Sequence, residues 1–191
     1  TPLKERLNGA SVRFFLVGGC VRDLLLRQVP TDWDVEVHGV EPELLQTELT
    51  TLFPQVVEVG KSFGVLTLRL ESGETLDVSV PRKDSKVGPG HRGFATSFDP
   101  HLSPEEACRR RDFTVNAILF DLFSTEMIDP FSGQRDLLHR TLRVVDAHSF
   151  PEDPLRVLRA LQFAARFELI IDPESEQLMR QMTEDGLLEE L

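Results

Sequence analysis

The sequence predicts an α+β fold: a head in which strands and helices alternate around one sheet, followed by a short neck made only of helices. Three observations carry that reading. A strand-like run, RFFLV at 13–17, passes through a double glycine into CVRDLLLR, where Val21, Leu24 and Leu25 share a helical face. Two runs of period two, FGVLTLRL and ETLDVSV, are separated by ESGE, a glycine-containing connection suited to a hairpin. From Asp153 onward the pattern turns purely helical, in PLRVLRALQFAARF and PESEQLMRQMTEDG. The boundary between a head at 1–149 and a neck at 150–191 is set at that change.

The other elements follow in order. Residues 33–38 alternate as a strand does, and Pro42 marks the first turn of a helix over EPELLQTELTTLF. The stretch from Arg82 to Ser103 is too long and too rich in Gly and Pro for an ordinary connection and reads as a functional loop. Ser103 caps a helix starting at Pro104, which RRRDFTVNAILF continues before a small β segment near EMIDP.

Composition bounds the function. The chain has 191 residues, 40% of them hydrophobic, enough for one good core. Its formal charge of −11 argues against a long nucleic-acid groove, so any basic site is local and RNA binding by this chain alone is expected to be weak. Cys20 and Cys108 lie far apart with no ligand spacing around them and read as small buried residues. Neither a membrane-length apolar run nor a secretion signal is visible, so a cytoplasmic protein is expected. The chain starts at a threonine and closes in EDGLLEEL, which reads as a piece of a longer protein.

The chemistry begins at TDWDVEV. On a strand, Asp32, Asp34 and Glu36 share one face, and Trp33, Val35 and Val37 the other, with Trp33 as the anchor. Close carboxylates repel unless a cation lies between them, and Mg²⁺ takes one or two carboxylates plus substrate phosphates. In ETLDVSV, Asp77 opposes the apolar face, so it joins the pair if the two strands are neighbours. The turn at Gly18 and Gly19 lets backbone N–H groups approach phosphate oxygens, with Arg22 one turn further on. In EACRRRDFTVNA, three arginines in an acidic chain call for an anion; Arg111 suits phosphate or ribose, Asp112 a ribose hydroxyl, and Asn116 lies one turn beyond.

Four motifs, LVGGCVRDLLL with DWD, RRRDFTVNAI, DPFSGQRDL and EDPLRVLRALQFAARF, run in that order along nearly the whole chain. In them the sequence resembles the class II tRNA nucleotidyltransferase and bacterial poly(A) polymerase family, part of the DNA polymerase β-like nucleotidyltransferase superfamily. The resemblance implies a mixed, mostly antiparallel sheet and template-independent addition of C and A from CTP and ATP to a tRNA 3′ end. It also implies Mg²⁺ on Asp32 and Asp34, with Asp77 assisting. Gly18, Gly19 and Arg22 then lie at the triphosphate, Arg111 and Asp112 at triphosphate and ribose, and Asn116 within the same motif.

The last motif carries base choice. Asp153, Arg156 and Arg159 recur at a spacing of three and face one way on a helix; Asp153 before Pro154 also suits an N-cap. A carboxylate only accepts and a guanidinium only donates. Cytosine and adenine both present an amino donor beside a bare ring nitrogen, so an Asp and Arg pair matches them and rejects guanine and uracil. The resemblance supports that role for Asp153 and Arg156, with Glu152 bracing them and Arg159 reaching the nucleotide. Three features depart from relatives: Gln162 stands where many carry arginine, Glu36 is larger than usual and reads as solvated or as backing the metal pair, and VGKSFGVLTL lacks a basic pair found in bacterial poly(A) polymerases. The last of these favours tRNA end addition, and the long loop favours A incorporation over CC-only addition. The family's body and tail domains find no counterpart in these residues. A nucleotide-binding module without activity and a transferase acting on small molecules are the alternatives.

Overall fold

The computed structural model describes residues 2–7, 11–53, 56–59, 64–69, 73–86 and 94–191. The chain forms two compact units from alternating stretches. Thr1–Lys83, Thr96–Ala107 and Leu119–Ile128 make the first; Asp84–Ala95, Cys108–Ile118 and Asp129–Leu191 make the second.

The first unit is built on a seven-stranded sheet. In chain order it has α1 (Pro2–Arg6), β1 (Arg13–Val17), α2 (Gly19–Leu25), β2 (Trp33–His38), α3 (Pro42–Leu52), β3 (Val56–Val59), β4 (Val65–Arg69) and β5 (Thr75–Ser79). Strands β6 (Arg82–Lys86) and β7 (Phe94–Phe98) make a two-stranded sheet of their own. After α4 (Pro104–Arg109), strands β8 (Leu119–Asp121) and β9 (Met127–Ile128) rejoin the main sheet at its edge. The order across is β3-β4-β5-β2-β1-β8-β9, antiparallel at every step except β2–β5. The expected mixed, mostly antiparallel sheet is therefore present. So is the expected hairpin of β4 and β5, in which Leu66 opposes Val78 and Thr67 opposes Asp77.

The central strands are covered on both faces, and this changes how the sequence pattern reads. Along β1, Phe14, Phe15, Leu16 and Val17 are all buried. Along β2, Val35, Glu36, Val37 and His38 are buried without alternation. Glu36 is not solvated: it is 1% exposed, its Oε1 lies 3.0 Å from His38 Nε2, and His38 Nδ1 donates to the Leu102 carbonyl at 3.0 Å. A polar group inside a sheet must find partners of this kind, and these supply them. Trp33 is only half-buried, so Val35 and Val37 anchor the strand instead.

Two other expectations change. The stretch 82–103 contains β6 and β7 rather than loop throughout, in keeping with the aromatic and β-branched run at 94–98. Residues 87–93, which hold its three glycines and its first proline, lie outside the described residues. The helix at Pro104 does not run through RRRDFTVNAILF. It ends at Arg109, a 3-10 turn spans Thr114–Asn116, and Leu119–Asp121 pairs with β1. Phe113, Thr114, Val115 and Ile118 are buried there, and strand pairing outweighs the helical pattern. The cap itself is as expected: Ser103 Oγ accepts from the Glu106 N–H at 3.2 Å, and the Glu106 carboxylate accepts the Ser103 N–H at 2.9 Å.

The second unit is mainly helical. It contains α5 (Gly133–Leu138), β10 (Thr141–Leu142), α6 (Leu155–Phe167), β11 (Ile170–Ile171) and α7 (Pro173–Glu184), with β10 and β11 paired in parallel. Helix α6 buries Val157, Ala160 and Phe163. Phe113 meets Phe150 and Phe163 edge-on, with ring centroids 5.7 and 5.8 Å away. Asp172 caps α7 by accepting the Ser175 N–H, with Pro173 at the first helical position. Thr114 Oγ1 donates to Asp136 at 2.7 Å and so ties α5 to the 3-10 turn.

Candidate functional site

In the first unit the site is set by strand register. Asp34 on β2 stands directly opposite Asp77 on β5, with Trp33 opposite Leu76 and Val35 opposite Val78. Partners in register on parallel strands project to the same side of the sheet, so two carboxylates from distant sequence share one face. Asp77 is fixed from its other side, where Thr67 Oγ1 on β4 donates to Asp77 Oδ1 at 2.6 Å. Asp32 lies one residue before β2; it is exposed, and its Oδ2 accepts from Thr31 Oγ1 at 3.0 Å.

The glycine turn leaves the neighbouring strand, β1. Gly18 has φ 71° and ψ −130°, a conformation that a side chain resists, and it begins α2. At Gly19 a Cβ would meet Arg22 Nη2 at 3.5 Å, an ordinary van der Waals contact. Arg22 is buried and aimed by Asp23, whose Oδ1 accepts from Nε at 2.9 Å and from Nη2 at 2.6 Å. Cys20 joins turn and strand, its thiol donating to the Val17 carbonyl at 3.1 Å and lying 3.7 Å from the Asp34 carbonyl. Burial pushes that thiol above its usual range.

In the second unit the RRRD segment and the start of α6 come together. Arg111 is half-buried and donates to the Asn116 carbonyl at 3.4 Å. Asp112 is buried; its Oδ1 accepts from the Phe113 N–H at 2.8 Å and from Asn116 Nδ2 at 3.0 Å. Its Oδ2 accepts from Arg159 Nε at 2.8 Å. Arg156 donates to the Ser149 carbonyl at 3.1 Å and to the Arg110 carbonyl at 3.0 Å, and its Nε lies 3.9 Å from Asp153 Oδ2. Asp153 Oδ1 accepts the Leu155 N–H at 3.1 Å, so Asp153 serves the helix start, with Pro154 between it and the first helical residue. The Glu152 side chain makes no hydrogen bond to Asp153 or Arg156; backbone carbonyls brace Arg156 instead. Gln162 is exposed on α6.

Two positioning groups escaped the motif reading. Thr67 was not legible, because counting outward from ESGE at 71–74 pairs 68 with 77, whereas in the sheet Thr67 opposes Asp77. Asp23 was legible only as the acid next to Arg22 in VRD.

The donor set fits Mg²⁺. Among the described residues no group of three or more His, Cys, Asp and Glu could hold a metal ion. Asp34 and Asp77 are nonetheless paired hard oxygen donors beside an exposed Asp32, and Mg²⁺ characteristically takes one or two carboxylates and completes its shell with phosphates and water. No helix among the described residues is long and apolar enough to cross a membrane.

Comparison with known proteins gives a consistent picture. Residues 14–143 match the poly A polymerase head domain. Over 183 residues the chain is 43% identical to the Multifunctional CCA protein of Xanthomonas campestris pv. campestris, covering 94% of this chain and 42% of that protein. The Multifunctional CCA protein of Xylella fastidiosa is 40% identical, over 94% of this chain and 42% of its own length. Among solved structures, a CCA-adding enzyme in an apo form aligns with a TM-score of 0.84 and 31% identity, covering 98% of this chain and 43% of that one. The Thermotoga maritima CCA-adding enzyme complexed with tRNA aligns with a TM-score of 0.77 and 31% identity, covering 99% and 41%. This chain spans less than half the length of these relatives. A sequence match running from β1 to β10, on a sheet whose single parallel pair sets two carboxylates side by side, means that the chain belongs to the poly A polymerase head domain family, within the DNA polymerase β-like nucleotidyltransferases.

Proposed function

We propose that this chain is the catalytic portion of a template-independent nucleotidyltransferase that adds C and A from CTP and ATP to the 3′ end of tRNA, releasing pyrophosphate. The observation that carries the reading is the β2–β5 register, which sets Asp34 opposite Asp77 on one face, with Asp32 two residues before Asp34 in the chain. Relatives named for CCA addition, including one solved with CTP and one with tRNA, support the choice of substrates. Residues 1–149 act as the catalytic head and 150–191 as the base-reading neck, in a cytoplasmic protein.

Membership of this family implies Mg²⁺-dependent catalysis in general. Asp32 and Asp34 would hold the ion, which would supply Lewis-acid stabilisation of the charge that develops during phosphoryl transfer. Asp77, steadied by Thr67, takes the proton of the RNA 3′-hydroxyl. The N–H groups of the Gly18–Gly19 turn and the Arg22 guanidinium receive the leaving pyrophosphate. Arg111 and Asn116 contribute to the nucleotide site, with Asp112 in the same segment. Asp153 and Arg156 read the base edge, with Glu152 beside them and Arg159 one turn along.

The test incubates the full-length protein with tRNAs lacking all three, lacking only the last, or keeping all of the terminal CCA nucleotides. Each receives CTP, ATP or both with Mg²⁺, and the products are sized. Growth that stops at a completed CCA end is the expected result. Extension of a completed end by ATP alone would overturn tRNA repair in favour of poly(A) synthesis, and nucleotide binding without pyrophosphate release would reduce the chain to a binding module.

A further inference from the structure

Asp34, Glu36 and His38 alternate along β2 and so project to one face, which sets Glu36 next in line to Asp34 and Asp77 as a carboxylate for the metal. Its geometry gives it other work. Glu36 Oε1 lies 3.0 Å from Nε2 of His38, which stands two positions beyond it where Asp34 stands two before. Among the described residues no three His, Cys, Asp or Glu side chains are grouped to hold an ion. His38 uses both ring nitrogens: a carbonyl oxygen only accepts, so Nδ1 donates to Leu102 at 3.0 Å while Nε2 faces Glu36. The ring also meets the fully buried Phe15 edge-on, with centroids 4.9 Å apart. The next residue adds a second tie, since the Gly39 N–H donates to the Pro100 carbonyl at 2.8 Å. Gly39 holds φ 80°, and a Cβ there would lie 2.6 Å from the Ser11 carbonyl oxygen, so the chain leaves β2 hemmed in by backbone.

We infer that Glu36 and His38 are positioning residues and not metal ligands: their buried bridge to Leu102 pins the end of β2 and so fixes where Asp34 stands relative to Asp77. This rests on the nucleotidyltransferase reading above. An apolar pair at 36 and 38 would bury as readily, without the cost of desolvating a carboxylate that is 1% exposed. What it would lack is direction. Two directed bonds in series, from Glu36 through the imidazole to Leu102, admit one placement of the strand against segment 99–102. That segment is itself held, because the Leu102 N–H donates to the Asp99 carbonyl at 3.2 Å and Ser103 caps α4 beside it. Asp34 lies near the open start of the same strand, and a shift of about 1 Å in a reacting group costs about 10²-fold in rate. Pinning the far end removes that freedom.

The test compares the full-length wild type with Glu36→Gln, Glu36→Leu, His38→Leu and, as a control for lost stability alone, Leu49→Ala in the core of α3. Mg²⁺ binding is read by calorimetry in the presence of a CTP analogue that cannot release pyrophosphate, alongside melting curves and incorporation. Glu36→Leu and His38→Leu should weaken Mg²⁺ binding about tenfold and slow incorporation with nucleotide KM little changed. Leu49→Ala should lower the melting temperature and bind Mg²⁺ as wild type does. Glu36→Gln should also bind as wild type does, because its amide N–H donates to Nε2 while Nδ1 keeps Leu102. Loss of Mg²⁺ binding in Glu36→Gln makes Glu36 a ligand and overturns the proposal. Undiminished Mg²⁺ binding in a folded His38→Leu reduces the bridge to packing and overturns it too. Should the leucine variants not fold, Glu36→Gln decides alone by the same reading. A wild type that binds no Mg²⁺ with the analogue, or an Asp34→Ala variant that binds it undiminished, overturns the metal site of the nucleotidyltransferase reading itself, and this assignment with it.

Discussion

Asp34 and Asp77 face each other across β2 and β5, the one parallel pair in the seven-stranded sheet, and Thr67 on β4 donates to Asp77 at 2.6 Å. Three strands thus converge on one pair of carboxylates. Replacing Asp34 with Ala should abolish Mg²⁺-dependent nucleotide incorporation in the full-length protein while the melting temperature stays near that of wild type, since the residue is only half-buried. Incorporation that survives in Asp34→Ala would remove the residue from the metal site.

Thr67→Val tests the support. It removes one hydrogen bond to Asp77 and keeps the β-branched shape that suits β4. Incorporation should fall by about tenfold, near 1.4 kcal/mol, with nucleotide KM little changed. Asp77→Asn should fall further, by about 10²-fold or more, if its carboxylate takes the hydroxyl proton.

The two glycines of the turn should behave differently. Gly18 holds φ 71° and ψ −130°, so Gly18→Ala should cost about 1–3 kcal/mol of stability, read from denaturant unfolding. Gly19→Ala meets only an ordinary contact at 3.5 Å and should leave unfolding nearly unchanged while weakening triphosphate binding.

Gly133 in DPFSGQRDL has a packing role. A Cβ there would lie 2.1 Å from the Thr114 carbonyl oxygen and 2.8 Å from Ile118 Cγ1, and backbone cannot move aside as a flexible side chain can. Gly133→Ala should lower the melting temperature more than Gly19→Ala does, through displacement of α5 from the turn at Thr114–Asn116.

Asp121 gives a pH prediction. Burial raises its carboxyl pKa, but the N–H groups of Phe123 and Ser124 and the Arg13 guanidinium outweigh that and hold it below the usual range. A lowered folded-state pKa means that the stabilisation is present above the unfolded value, about 3.9, and is lost as pH falls through the folded value. Asp121→Asn should therefore be less stable than wild type at pH 7, and the gap between their melting temperatures should close as the pH is lowered below about 4.

Much of this was legible along the chain. The strand, glycine turn and helix at 13–25, the β4–β5 hairpin and helices α6 and α7 all follow from local periodicity and punctuation. Glu36 was not, because polar alternation on a strand suggests solvent unless the sheet is known to be covered on both sides. The segment after Arg109 was not either, because its helical spacing competes with pairing of Leu119–Asp121 to β1, and that partner lies about a hundred residues away.

The sequence by itself determined which residue types could do chemistry and the local element most would occupy: Asp34 on a strand, a double glycine at a helix start, Asp153 and Arg156 at another helix start. Only the tertiary structure decided that β5 lies parallel to β2, so that Asp77 stands opposite Asp34, and that Arg159 donates to Asp112. The physical reason is range. Propensity and periodicity act over a few neighbouring residues, whereas strand order and side-chain pairing depend on groups that only folding brings within hydrogen-bonding distance.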